Sequence, residues 1–457
     1  MMRPVRRPGR NNLLITIGSS IDSSVRGWPP VHAGRSRSEV LVVLAAVALV
    51  VVPVAVAEWP REMARWYQAA AMERNLDGDY ESAVASMDRA IAWHDTDPLL
   101  YLQRAQYKLS AEQWESGLED CDRARQLVPD SPSIGALRSQ FLQHLGRHRE
   151  AVAELGEILH ASGDTLPSDR AGQLERADQL NRMAYTMAVG DINLEQGLLA
   201  VEASLQLVND VTAMLDPAGV LCFGRAATAR KIGDNQLALT SLTEAREYAE
   251  TALSRVAPPH QTTAAEDAPD AQRPEDAAEN LPGTQAPAEH VQTLRAHLAG
   301  ILQLRARVCE ELDKPDDAAR DRDHIKELEV DGNLAIVAPY DLPVAIGRVS
   351  NCAAVLDTRG FLYYKLQEFA AAHEDLERAV SGMRWVDQAM SWLLDIEKDY
   401  AADVRQSLQE QRMHRQSLAV ITYHRALTLQ VLGKKQQADQ DLQTVRELGY
   451  EPGEHLF

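Results

Sequence analysis

The stretch Tyr101–Pro129, YLQRAQYKLSAEQWESGLEDCDRARQLVP, is the most informative part of this chain. Arg104 is followed 16 residues later by Asp120. Residues equidistant from the turn of an antiparallel helix hairpin face each other, so the pair predicts two helices with a turn near Glu112. The spacing recurs as Arg138 with Glu154, Arg305 with Asp321, Arg359 with Asp375 and Arg425 with Asp441, with midpoints near Gly146, Asp313, Gln367 and Gly433. Two of the five midpoints are glycine, which suits the residue just beyond a helix. Arg182 and Arg225 extend the arginine set to seven, six of them followed by a small residue, and Gly117, Ala151, Ala238, Ala318 and Ala438 come 13 residues after theirs. The chain reads as all-α, a stack of helical hairpins.

Ala83, Gly117 and Ala151 occupy equivalent positions 34 residues apart. With this period, the segments GDYESAVASMDRAI (78–91), Tyr101–Pro129 and LGRHREAVAELGEIL (145–159) resemble the tetratricopeptide repeat (TPR) family. The resemblance implies a solenoid in which small residues of the two helices pack together and a proline closes the unit, the places held here by Ala105, Gly117 and Pro129. Degenerate units follow. LNRMAYTMAVGDINLEQGLLAVEASLQLV (180–208) has Arg182 without an acid at the matching distance, and in CFGRAATARKIGDNQLALTSLTEAREYA (222–249) Ser241 replaces the acid. About eight hairpins cover most of residues 62–452.

Three segments interrupt the array. Residues 258–289 are rich in Pro, Ala and acid with almost no large apolar side chain, so they cannot offset the entropy of ordering and read as a disordered tether. Residues 329–350, with Pro339 and Pro343, read as an ordered apolar loop, and 381–416 as a helical insertion packing beside the final repeat. The expected organisation is a basic flexible cytoplasmic leader (1–39), a transmembrane helix or signal peptide (40–58), a first TPR block (59–255), an acidic linker (256–290) and a second block (291–457) that contains the insertion.

From Val40 to Ala57 run 18 apolar residues without a charge, just enough to span a bilayer. Seven arginines before residue 57, against Asp22 and Glu39, place the N-terminus in the cytoplasm and the body on the extracytoplasmic side. A second reading takes Ala55-Val56-Ala57 as a signal-peptide cleavage site and gives a secreted or periplasmic body. The net charge is −20; since residues 1–57 carry +5, the rest carries −25, which disfavours a nucleic-acid partner. The cysteines Cys121, Cys222, Cys309 and Cys352 lie far apart and read as small core residues. No metal or cofactor is expected.

The chain lacks the common catalytic constellations: HExxH, GxSxG, a phosphate-binding glycine loop and a dinucleotide fingerprint are all missing from the sequence. His373-Glu374-Asp375 stands out, yet adjacent helix residues point to different faces and Asp375 is matched to Arg359. The repeated arginines admit two readings, a ladder for acidic peptides or a brace across each hairpin. The brace gains weight from the first unit, where Ala70 and Ser86 replace both partners together. The TPR resemblance places a peptide groove on the first helices. Its candidate residues are Gln140, His144, Phe223, Arg230, Lys231, Phe361, Tyr364, Lys365 and Tyr423, and aromatics beside cations suit an extended chain with a carboxylate. The chaperone-clamp pattern of some TPR domains is not matched by Gln68, Met72, Leu102 and Gln106. The expectation is a non-catalytic protein-binding scaffold at the cell envelope, or else a regulatory or assembly subunit of a separate envelope enzyme.

Overall fold

The computed structural model describes residues 58–161, 163, 167–256, 288–328, 330, 337–401 and 403–452. Their helices pair in chain order as eight hairpins. These are α1 (residues 58–76) with α2 (Tyr80–Trp93), α3 (Pro98–Ser110) with α4 (Trp114–Leu127), α5 (Pro132–His144) with α6 (His148–Ala161), and α7 (Arg170–Val189) with α8 (Leu194–Val208). A short α9 (Val211–Leu215) follows. Then come α10 (Pro217–Lys231) with α11 (Asn235–Val256), α12 (Ala288–Glu311) with α13 (Pro315–Glu327), α14 (Leu342–Lys365) with α15 (Phe369–Tyr400), and α16 (Arg405–Val431) with α17 (Lys435–Glu447). The described residues from Ala64 onward form one compact unit; of the unit Met1–Met63, the described part is 58–63, where Arg61 pairs with Glu58.

The turns fall on the midpoints of the 16-residue spacing. Glu112, Gly146, Asp313, Gln367 and Gly433 all have positive φ, between 57° and 74°. After each, the next amide reaches back across the helix end: Gln113 N–H to Lys108 O at 2.9 Å, Glu368 N–H to Tyr363 O at 2.8 Å, Lys434 N–H to Leu429 O at 2.9 Å. These bonds satisfy carbonyls that the helix itself leaves open. A side chain in this conformation costs about 1–2 kcal/mol, so three of the five turns carry strain that glycine would relieve. Gln367→Gly is expected to raise the unfolding free energy by about 0.5–1 kcal/mol after the larger chain entropy of glycine is counted. A urea midpoint at or below that of the parent chain would refute this.

Alanine dominates where helices cross. Ala83, Ala105, Ala151, Ala238, Ala318, Ala372 and Ala438 are each 0% exposed. The four cysteines are buried and unpaired with one another, and burial pushes the thiols of Cys121 and Cys222 up to about 12, so both remain protonated at neutral pH.

Several sequence expectations need correction. The helices either side of the acidic linker, assigned to two blocks, share one core: Leu242 and Ala245 of α11 pack with Leu298 and Ile301 of α12. The apolar loop at 329–350 ends early, because Pro343 lies in the first turn of α14, where proline is tolerated, and does not break a helix. The insertion 381–416 is no separate unit. Residues 381–400 continue α15 and 405–416 begin α16, so the last two hairpins are simply longer. They pack beside each other, but Trp392 also reaches hairpin five, lying 4.2 Å under the Arg225 guanidinium.

The expected single-pass membrane localisation is also corrected. No helix among the described residues is long and apolar enough to cross a membrane. The segment 40–57, on which the anchor and the signal-peptide readings both rested, and the linker 257–287 lie outside the described residues.

Candidate binding cavity

The repeated arginines are spent on the scaffold. Arg104 Nε donates to Asp120 Oδ2 at 2.8 Å, Arg138 Nη1 to Glu154 Oε2 at 2.8 Å, Arg359 makes a two-point pair with Asp375 at 2.6 and 2.8 Å, and Arg425 a two-point pair with Asp441 at 2.8 and 2.6 Å. Arg305 reaches Asp321 through one nitrogen only, which leaves Arg305 Nε and Asp321 Oδ2 without partners. Every acid of the set is buried. Arg225 keeps the register with Ser241 Oγ at 2.7 Å, and in the first hairpin Arg74, one turn beyond Ala70, takes over by donating to Ser86 Oγ. Arg182 pairs only within its own helix, with Asp178 at 2.8 Å. Arg104 also reaches back to Asp88 of hairpin one at 2.7 Å, Arg138 to Asp122 of hairpin two at 2.8 Å, and Arg425 to Glu377 of hairpin seven at 2.7 Å. Each of these three arginines therefore ties three helices, which the spacing within one hairpin could not reveal.

Five of the nine groove candidates, His144, Phe361, Tyr364, Lys365 and Tyr423, line one cavity of about 860 Å³. They come from α5, α14 and α16, brought together because the array curves until its last hairpins face the turns of hairpins two and three. Trp114, the first residue of α4, lies flat on His144 with ring centroids 4.2 Å apart. On the opposite wall Phe361 stacks on His424 at 4.0 Å, and His424 Nδ1 lies 2.7 Å from Asp357 Oδ1, which fixes the ring supporting Phe361. Lys365 Nζ lies 5.4 Å from the Phe361 ring centre, with no carboxylate at ion-pair distance among the described residues. Burial holds the His144 imidazole below its ordinary range, opposed by Glu112, and burial alone lowers His148. Both are therefore neutral at pH 7, and Lys365 supplies the cavity's positive charge.

The other candidates lie elsewhere. Phe223 is fully buried, edge-on to His297 and Tyr340 at 5.8 and 5.3 Å, because α10 runs through the interior and has no open face at that position. Arg230 and Lys231 line a second cavity of about 420 Å³ and are neutralised by Glu311 and Asp341. Gln140 is half-buried and outside both cavities. Sequence reasoning missed Trp114, Gln143 and Gln416. A groove drawn on first helices alone omits Trp114, and only the curvature of the array shows that a hairpin turn can be a wall. The conspicuous His373, Glu374 and Asp375 engage three different partners, Lys434, Arg378 and Arg359.

Away from the cavity, Asp216 caps α10 by accepting from Gly219 N–H at 2.9 Å, and its other oxygen lies 3.7 Å from His297 Nε2. That oxygen, both His297 nitrogens and Tyr340 Oη lack hydrogen-bond partners. Burial pushes Asp216 up to about 7 and His297 down to about 3. Asp216, raised on folding, withdraws stability as pH climbs from about 4 through 7; His297, lowered on folding, withdraws it as pH falls from about 6.5 towards 3. Between pH 4 and 6.5 the two slopes oppose each other. Asp216→Asn keeps the cap but removes one slope, so its stability is expected to rise with pH across that window relative to the parent chain. Parallel pH profiles from urea titrations would contradict the assignment.

No family model matches the chain. Sperm-associated antigen 1 of Rattus norvegicus is 33% identical over 105 residues, 23% of this chain and 12% of that protein. Tetratricopeptide repeat protein 28 of Homo sapiens is 32% identical over 77 residues, 17% of this chain and 3% of that protein. Among solved structures, MamA from Desulfovibrio magneticus RS-1 aligns over 41% of this chain and 96% of its own with 16% identity and a TM-score of 0.28. The eight hairpins and the 34-residue period define the class: the described residues form an all-helical solenoid of the tetratricopeptide-repeat type. The chain spans only a small part of the curated relatives it matches.

Proposed function

We propose that the chain is a non-catalytic interaction scaffold whose cavity holds a short extended segment of a partner protein. The observation that carries this is the convergence of side chains from separate hairpins on one concave space, with two aromatic walls and a lysine that has no acidic partner. Its volume of about 860 Å³ lies within the range of roughly 300–1,000 Å³ typical of ligand sites. A helix about 10–12 Å across would fill that space in roughly two turns, so an extended segment uses it better. The Trp114–His144 and Phe361–Tyr364 faces suit an apolar or aromatic side chain, and the Lys365 ammonium suits a carboxylate beside it.

Selection of a displayed random-peptide library against the full chain tests this reading. Selected peptides are expected to combine an acidic with an aromatic or aliphatic residue. Lys365→Gln is expected to cost about 1.5–3 kcal/mol of binding, roughly tenfold to a hundredfold in Kd, with the melting temperature unchanged. If no selected peptide loses affinity on Lys365→Gln or Tyr364→Ala, the cavity is not the binding site.

A further inference from the structure

The cavity lies between two parts of the molecule whose apolar cores are separate clusters, although hairpins three and four pack directly against each other, with Gly190 against the His148 side chain. One wall, with Glu112, Trp114, His144 and His148, belongs to hairpins two and three. The other, with Phe361, Lys365 and Tyr423, belongs to hairpins seven and eight. Hairpins one to three have their own apolar core, from Ala64 to Ala151, and it includes no residue of hairpins four to eight. Where hairpin four meets hairpin three, the contacts include Thr186 Oγ1–Gln143 Oε1 at 3.0 Å and Arg176 Nη1–Leu159 O at 2.5 Å. At the far end α16 reaches hairpin one: Arg405 Nη1 lies 3.0 Å from Asp77 Oδ1 and 3.6 Å from Glu73 Oε2, across 328 residues of sequence in the first case. Beside this pair, Arg412 passes Gly78, whose positive φ of 80° marks the first turn.

We propose that hairpins one to three form a jaw that swings on the hairpin three–four junction, held shut over the cavity by Arg405 on Asp77 and Glu73, and that its opening admits the partner segment. This rests on the peptide-binding reading. The same helix carries clasp and wall. From Arg405 to Tyr423 is 18 residues, about 27 Å along α16, so the helix lies as a bar from the turn of hairpin one to the cavity. The rest of α16 is fixed to the body, by Arg415–Asp387 at 2.7 Å and by Leu418 and Ile421 in the core. The clasp carboxylates are exposed, so salt screens the attraction and the jaw opens reversibly. Burying a long apolar seam here would have locked the cavity. A single arginine, its Nε and Nη2 held by the neighbouring Asp403, reaches the two acids of hairpin one through Nη1 alone, which leaves the clasp openable.

The test uses the full chain with Glu115→Cys and Met413→Cys, both exposed positions, carrying distance labels; the four native cysteines are buried. Arg405→Glu sets like charges against Glu73 and Asp77. It is expected to lengthen the label distance, as is 1 M NaCl in the parent chain, and to speed association of a library-selected peptide roughly threefold to tenfold. Adding Glu73→Arg and Asp77→Arg to Arg405→Glu should restore both values. An unchanged distance overturns the jaw even if the peptide still binds in a Lys365-dependent way. A longer distance with an unchanged association rate overturns its role in entry. Absence of any Lys365-dependent peptide would instead sink the binding reading, with the jaw motion still measurable.

Discussion

Arg425→Ala is expected to lower the stability of the last hairpin by about 3–5 kcal/mol, the cost of leaving a buried charge without its partner. All three guanidinium nitrogens of Arg425 are engaged, Nε and Nη2 by Asp441 and Nη1 by Glu377. Arg425 is 7% and Asp441 3% exposed, so water cannot replace what is removed. Asp441→Ala strands the arginine instead, with only the exposed Glu377 to answer it. The double variant removes both buried charges, and its loss is expected to be smaller than the sum of the two singles by about 1–3 kcal/mol. Urea unfolding gives the cycle, and hydrogen exchange along α17 shows whether the loss is local. Additive losses would mean that the pair contributes nothing as a pair. The cycle on Arg359 and Asp375 should show the same sign with a smaller size, since Arg359 is the more exposed arginine.

Gly117→Ala is expected to cost about 1–3 kcal/mol, more than an alanine in a helix would ordinarily do, because it should gain stability there. The new methyl would overlap the Phe141 ring at Cε1 and Cζ. Phe141 is 0% exposed and surrounded by the core of hairpins one to three, so the ring has no free space to enter. The sequence points to Gly117 as a small residue facing its own partner helix. Its space is in fact filled by the first helix of the following hairpin, so the damage should spread across the junction. The double variant Gly117→Ala with Phe141→Leu is expected to recover part of the loss by thermal melting. A Gly117→Ala variant as stable as the parent would show that Phe141 moves freely.

How much could be read in advance differed sharply between scaffold and site. The turns were legible because an ion pair across a hairpin must be symmetric about its turn, so the positions of Arg359 and Asp375 locate Gln367 arithmetically. The substitution of Arg74 for the missing Arg at position 70 was not legible, since the side chain reaches its partner from a different turn of the helix. Tyr364, Lys365 and Tyr423 could be nominated from first-helix positions, whereas Trp114 could not, because it becomes a wall only through the curvature of the whole array. Phe223 failed for the opposite reason: the same helix position that is open in one hairpin is covered in another by Tyr340 and His297.

The sequence alone determined the local unit. Helix periodicity, small residues at crossings and oppositely charged residues at a fixed spacing act within about 34 residues, and the short range of these interactions makes them readable one repeat at a time. Only the tertiary structure decided how the repeats add up. Small rotations between successive hairpins accumulate until Arg405 meets Asp77, and the cavity exists because of that sum. No single stretch of sequence encodes such a sum, since it depends on every interface along the chain at once.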